Sequence, residues 1–87
     1  MDIDHLIKMA NEIGSFFQGV TDPAQASADV ATHLTRYWEP RMRRQIVAYY
    51  EERRGAGLSD IARGAVELLK KQADAAAAAQ PAPGAKS

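Results

Sequence analysis

Residues 37–44 read YWEPRMRR and hold the chain's only tryptophan, a proline and three arginines, Arg41, Arg43 and Arg44. Guanidinium groups stay charged and present a planar fork of donors, so such a cluster suits carboxylates and phosphates better than proton transfer. At 3.6 residues per turn, Arg41 and Arg44 share one side of a helix while Arg43 borders its apolar face. Its stem is then expected to be covered and its charge paired, with Glu39 the nearest acid. Other reactive side chains are sparse. His5 and His33 stand alone, with Asp29 one turn before His33 as an exposed helical pair. Neither histidine has the HxxxH or HExxH spacing of a zinc site. Glu51 and Glu52 are adjacent and diverge by about 100° on a helix, as a solvated face does. Gly55-Ala56-Gly57 lacks the lysine and hydroxyl of a phosphate loop. No cysteine is present, which excludes disulfides, thiolate ligation and a cysteine nucleophile. No catalytic, cofactor-binding or metal-ligating residue is expected in this chain.

The elements that must position the arginines read as helices. Residues 2–18 place Ile3, Leu6, Ile7, Ala10, Ile13, Gly14 and Phe17 on one face, with Asp2 as cap and Gly19 as terminator. Met9 and Phe16 lie to one side of that stripe and serve either a third helix or a partner. Asp22 and Pro23 open a second helix to about Tyr37, with Gln25 able to reach back as in a capping box. Ser27, Val30, Ala31, Leu34, Tyr37 and Trp38 share its face. Pro40 ends that run and starts a third helix to Arg53, carrying Met42, Ile46, Tyr49 and Tyr50 with Val47 at the edge. After a glycine loop, Ser59 caps a fourth helix whose stripe is Ile61, Ala65, Leu68 and Leu69, entered by Leu58. Glu67 and Lys71 form an i,i+4 pair. No stretch alternates with period two. The expected fold is all-α, a small bundle of three to four short helices: a helical domain over 1–74, then an alanine/proline-rich tail over 75–87, a frayed helix followed by disorder.

An 87-residue chain holds one small domain at most. Its net charge of zero hides an uneven layout. Residues 1–40 carry six acids (Asp2, Asp4, Glu12, Asp22, Asp29, Glu39) against Lys8 and Arg36, whereas residues 41–54 carry five arginines against Glu51 and Glu52. The start is acidic, unlike a secretory leader, and no apolar run approaches the roughly 20 residues of a membrane span. A cytoplasmic protein without membrane contact is expected.

A helix beginning near Pro40 puts three cations in its first turn, where the helix dipole is already positive. Each costs a few tenths of a kcal/mol. Either internal carboxylates or an outside anion must compensate. A nucleic-acid module fits poorly, because the helix in GLSDIARGAVELL carries only Arg63 before Lys70, beside Asp60 and Glu67.

Three blocks, LIKMANEIGSFF (6–17), HLTRYWEPRMRRQIVAYY (33–50) and GLSDIARGAVELL (57–69), resemble the delta subunit of soluble, NAD-dependent, molybdenum-containing formate dehydrogenases. The carriers are an IxMANxIGxFF segment (Ile7, Met9, Ala10, Asn11, Ile13, Gly14, Phe16, Phe17) and a W-[DE]-P-R-M-R segment (Trp38 to Arg43). The resemblance covers about residues 1–70. It implies a non-catalytic accessory subunit that supports assembly or stability of an enzyme oxidising formate to carbon dioxide. It also implies that molybdenum cofactor, iron–sulfur clusters, FMN and NAD belong to larger subunits, with none in this chain. The implied partners are those subunits, the catalytic alpha subunit foremost. A transient assembly factor is the alternative. Interfaces favour Arg, Trp, Tyr and Met, so Trp38, Arg41, Arg43 and Arg44, with Tyr37, Met9 and Phe16, are the candidate contact residues. Trp38 serves either that contact or the joint between helices two and three.

Overall fold

Asp2 opens the first helix as its cap, its carboxylate accepting the Asp4 amide at 3.4 Å. The computed structural model describes residues 2–79 and contains α1 (Ile3–Phe17), α2 (Pro23–Tyr37), α3 (Pro40–Arg53) and α4 (Asp60–Ala79). The fold is an all-α bundle, and no strand occurs among the described residues. Residues 75–79 continue α4, and the expected disorder over 80–87 lies outside the described residues.

The helix ends follow from local chemistry. Gly19 takes a φ of 81°, which lets the chain leave α1. Asp22 accepts the Gln25 amide at 2.9 Å, and Pro23, with no N–H to lose, begins α2. Gln25 does not reach back as a capping box would. Its amide nitrogen runs forward to Asp29 at 2.9 Å, the neighbour one turn on. Ser59 Oγ accepts the Ala62 amide at 3.2 Å and caps α4. Glu67 and Lys71 pair at 3.8 Å.

The core draws on all four helices. Leu6, Val30, Leu34, Ile46 and Val66 are its largest fully buried side chains. Each such burial contributes about 1.5–3 kcal/mol of transfer free energy. Trp38 and Leu58 close its edges at 5% and 4% exposure. Two expected faces are corrected. Tyr37 is 68% exposed, because α2 ends there and the chain turns at Trp38. On α4 the buried set is Ala62, Ala65, Val66 and Leu69, while Ile61 and Leu68 are half-buried. The buried face is thus centred on smaller residues than the large-residue stripe.

Close approach of α2 and α4 explains that shift. Ser27 Oγ donates to the backbone carbonyl of Ile61 at 3.0 Å, and a Cβ at Gly64 would overlap that hydroxyl. Farther along, Thr35 shares a groove with Leu69 and Gln72, so the two helices advance side by side in the same direction. Small side chains at Ala26, Ala31, Ala62 and Ala65 permit the contact.

Asn11 ties α1 to the connection between α3 and α4. Its amide nitrogen donates to Gly57 O at 2.9 Å, and its Oδ1 accepts the Ser59 amide at 2.8 Å. That connection turns through left-handed φ values at Arg54 (57°), Gly55 (74°) and Gly57 (88°).

Candidate interaction surface

The corner at Trp38–Glu39 brings the end of α2 against the start of α3. Pro40 occupies the first helical position, and the Glu39 side chain makes no capping bond. Two helix termini of opposite polarity therefore meet, with orphan carbonyls at the end of α2 and unpaired amides at the start of α3.

Arg43 resolves part of the charge conflict. Its Nη1 donates to Thr35 O at 3.0 Å and to Trp38 O at 2.6 Å. The expected acid partner, Glu39, is not used. The guanidinium instead caps carbonyls at the negative end of α2, where a cation is favoured. No helical i,i+4 rule points from Arg43 to these acceptors, which lie eight and five residues back across a proline corner. Arg43→Met keeps the stem and removes both bonds. It is expected to cost about 1 kcal/mol, since charged hydrogen bonds are worth about 1.5–3 kcal/mol and this one is only part-buried. Urea unfolding measures the loss, and an unchanged midpoint would discard the capping role.

Arg41 and Arg44 remain exposed. Among the described residues neither side chain has an ion pair or hydrogen bond, the ion pairs there being Arg63–Asp60, Lys70–Glu51, Lys70–Asp74 and Lys71–Glu67. Arg44 lines a groove between α3 and α4. Glu51, which also lines the groove, meets Lys70 at 3.7 Å; Lys70 holds Asp74 at 2.9 Å, and its pKa is raised, chiefly by the hydrogen bond to Asp74.

The remaining candidates are dispersed. Trp38 lies in the core and presents almost no surface. Met9 is half-buried against that core, while Phe16 is 77% exposed. Tyr37 meets His33 in a tilted ring contact with centroids 4.7 Å apart, and Asp29 accepts from Gln25, so the expected His33–Asp29 pair is not formed. Phe16 lies in the last turn of α1 and Tyr37 ends α2. Among the described residues, no group of three or more His, Asp or Glu could hold a metal ion, and no helix is long and apolar enough to cross a membrane.

Comparison with curated proteins and with solved structures returns no match. Comparison with family models returns the NADH-dependent formate dehydrogenase delta subunit, FdsD, over residues 5–66. That span takes in the Asn11 clamp, the Trp38–Arg43 corner and the α2–α4 contact at Ser27 and Gly64. The features that organise this bundle are therefore those of the matched region, and the chain belongs to the NADH-dependent formate dehydrogenase delta subunit family.

Proposed function

We propose that this chain is a non-catalytic accessory subunit of a cytoplasmic, NAD-dependent formate dehydrogenase complex, where it supports assembly or stability of the enzyme that oxidises formate. The molybdenum cofactor, iron–sulfur clusters and FMN reside on larger subunits, and this chain binds none of them. Its contact with a larger subunit, the catalytic alpha subunit foremost, uses the exposed cations of α3. The observation that carries this reading is the pair Arg41 and Arg44, charged, exposed and without an internal partner among the described residues, on a chain of the delta subunit family. Cations at the positive end of a helix are destabilising on the free chain and favourable against an acidic surface.

The test is affinity purification of the tagged chain from cells that make the dehydrogenase. Stoichiometric retention in the active enzyme is expected. Recovery only with cofactor-free catalytic chain would make it a transient assembly factor instead. Reversing both charges, Arg41→Glu with Arg44→Glu, is expected to weaken retention about tenfold or more, since like-charge contacts across an interface cost several kcal/mol. Thermal melting of the free chain should not fall, because no internal ion pair is lost. Undiminished retention would remove the arginines from the interface.

A further inference from the structure

We propose that the groove between α3 and α4 seats an amphipathic helical segment of a larger subunit, with its apolar face on the groove's apolar lining and an acidic end against Arg44. This rests on the accessory-subunit reading and adds the site and the chemistry of its occupant. The groove has a volume of about 510 Å³, and half of its lining is apolar: Pro40, Val47, Ala48, Leu69 and Ala73. A second cleft of about 320 Å³ continues it past Thr35 and Gln72 to Arg36. Grooves of this form accept the apolar stripe of a helix, whose side chains recur every three to four residues.

The charges on the rim select the occupant. Arg36 and Arg44 have no ion pair or hydrogen bond among the described residues. Glu51 and Asp74 share Lys70, at 3.7 and 2.9 Å, which leaves one carboxylate of that trio to set against the two cations Arg36 and Arg44. The uncompensated charge of the groove is therefore positive, which calls for Asp or Glu on the incoming segment. The apolar half of the lining offers a phosphate backbone no hydrogen-bond donor, whereas the apolar stripe of a helix can use it. The chain's own last residues, QPAPGAKS at 80–87, carry no acidic side chain and fail the charge requirement. Arg41 does not line the groove, which separates its contribution from that of Arg44.

The experiment uses the intact dehydrogenase complex carrying this chain with Ala48 replaced by the photo-crosslinker benzoylphenylalanine. Irradiation and peptide mapping are expected to give a crosslink to a larger-subunit segment containing Asp or Glu at helical spacing from apolar residues. In parallel, Arg44→Glu is expected to lower retention of the chain about tenfold at low salt, with a smaller loss at high salt, and Arg41→Glu to lower it much less. A crosslink to a segment without acidic residues, to a second copy, to residues 80–87 or to nucleic acid overturns the proposal. So does an equal effect of the two single reversals, or the absence of any crosslink from a chain that is still retained. Each of those results leaves the accessory-subunit reading standing. Failure of the unsubstituted chain to co-purify with the dehydrogenase sinks both.

Discussion

Trp38→Ala is expected to destabilise the chain by about 3–5 kcal/mol, the range for deleting a buried aromatic from a core. Native domains hold only about 5–15 kcal/mol in total, so this single change should bring the free chain close to its unfolding transition. The indole is 5% exposed and packs with Leu34 and Ile46 in the same core cluster. It also sits where α2 stops, with its own amide bonded to Leu34 O at 3.0 Å and its carbonyl capped by Arg43 at 2.6 Å. Truncation therefore opens a cavity at the joint that aims α3. Trp38→Phe should recover part of the loss, since a ring still fills part of the space. Circular dichroism during urea unfolding is the appropriate readout, because the substitution removes the only tryptophan. A variant that melts like the parent yet leaves the complex would show that the indole contacts a partner and not the core.

Gly64→Ala should also destabilise, by about 1–3 kcal/mol, although helix propensity alone favours alanine over glycine by roughly 1 kcal/mol. Packing wins because the added Cβ would overlap Ser27 Oγ and stand 3.1 Å from Ser27 Cβ. The hydroxyl could rotate away only by giving up Ile61 O, leaving a nearly buried polar group unpaired at about 1–3 kcal/mol. The Ser27 Cβ cannot rotate at all, so α2 and α4 must separate. Gly14 provides the contrast. A Cβ there would meet Ser59 Oγ at 3.5 Å and the Ala62 amide nitrogen at 3.6 Å, which is ordinary contact, so Gly14→Ala should be neutral or mildly stabilising. The paired change Ser27→Gly with Gly64→Ala moves the Cβ from one helix to the other and should recover stability relative to Gly64→Ala alone. A double-mutant cycle measures that coupling. Additive losses would mean that the two positions do not meet.

Both expectations bear on assembly. In the proposed interface Arg41 and Arg44 meet the partner from α3, and α3 is aimed by the Trp38 corner and by the core beneath it. Loosening either contact should reduce retention in the complex indirectly, together with a lowered melting temperature. Reversal of the exposed arginines should reduce retention without that shift.

Much of the fold was legible along the chain. Asp2, Asp22 and Ser59 cap helices because a short side-chain oxygen reaches the first free amides, a geometry set within three residues. Pro40 breaks the chain for an equally local reason, a missing N–H and a ring that restricts the residue before it. The family resemblance was legible too, carried by motifs at Ile7–Phe17 and Trp38–Arg43. Local pattern fails where a side chain finds its partner elsewhere. Gln25 chose Asp29, Arg43 chose the carbonyls of α2, and α4 turned Ala62 inward. Large apolar residues dominate a periodicity argument, whereas two helices in close contact select small ones.

The sequence by itself determined an all-α bundle of three to four helices, most of their caps and an imbalance of charge around residues 41–54, since each depends on neighbours within a turn or two. Only the tertiary structure decided which cations remain unpaired among the described residues, because Arg43 is satisfied across a corner while Arg41 and Arg44 are not. It also decided that Trp38 is core, that Asn11 clamps a loop 46 residues away, and that Gly64 must lack a side chain. Those outcomes depend on distances between helix axes and on the facing of one helix toward another, which no local pattern encodes.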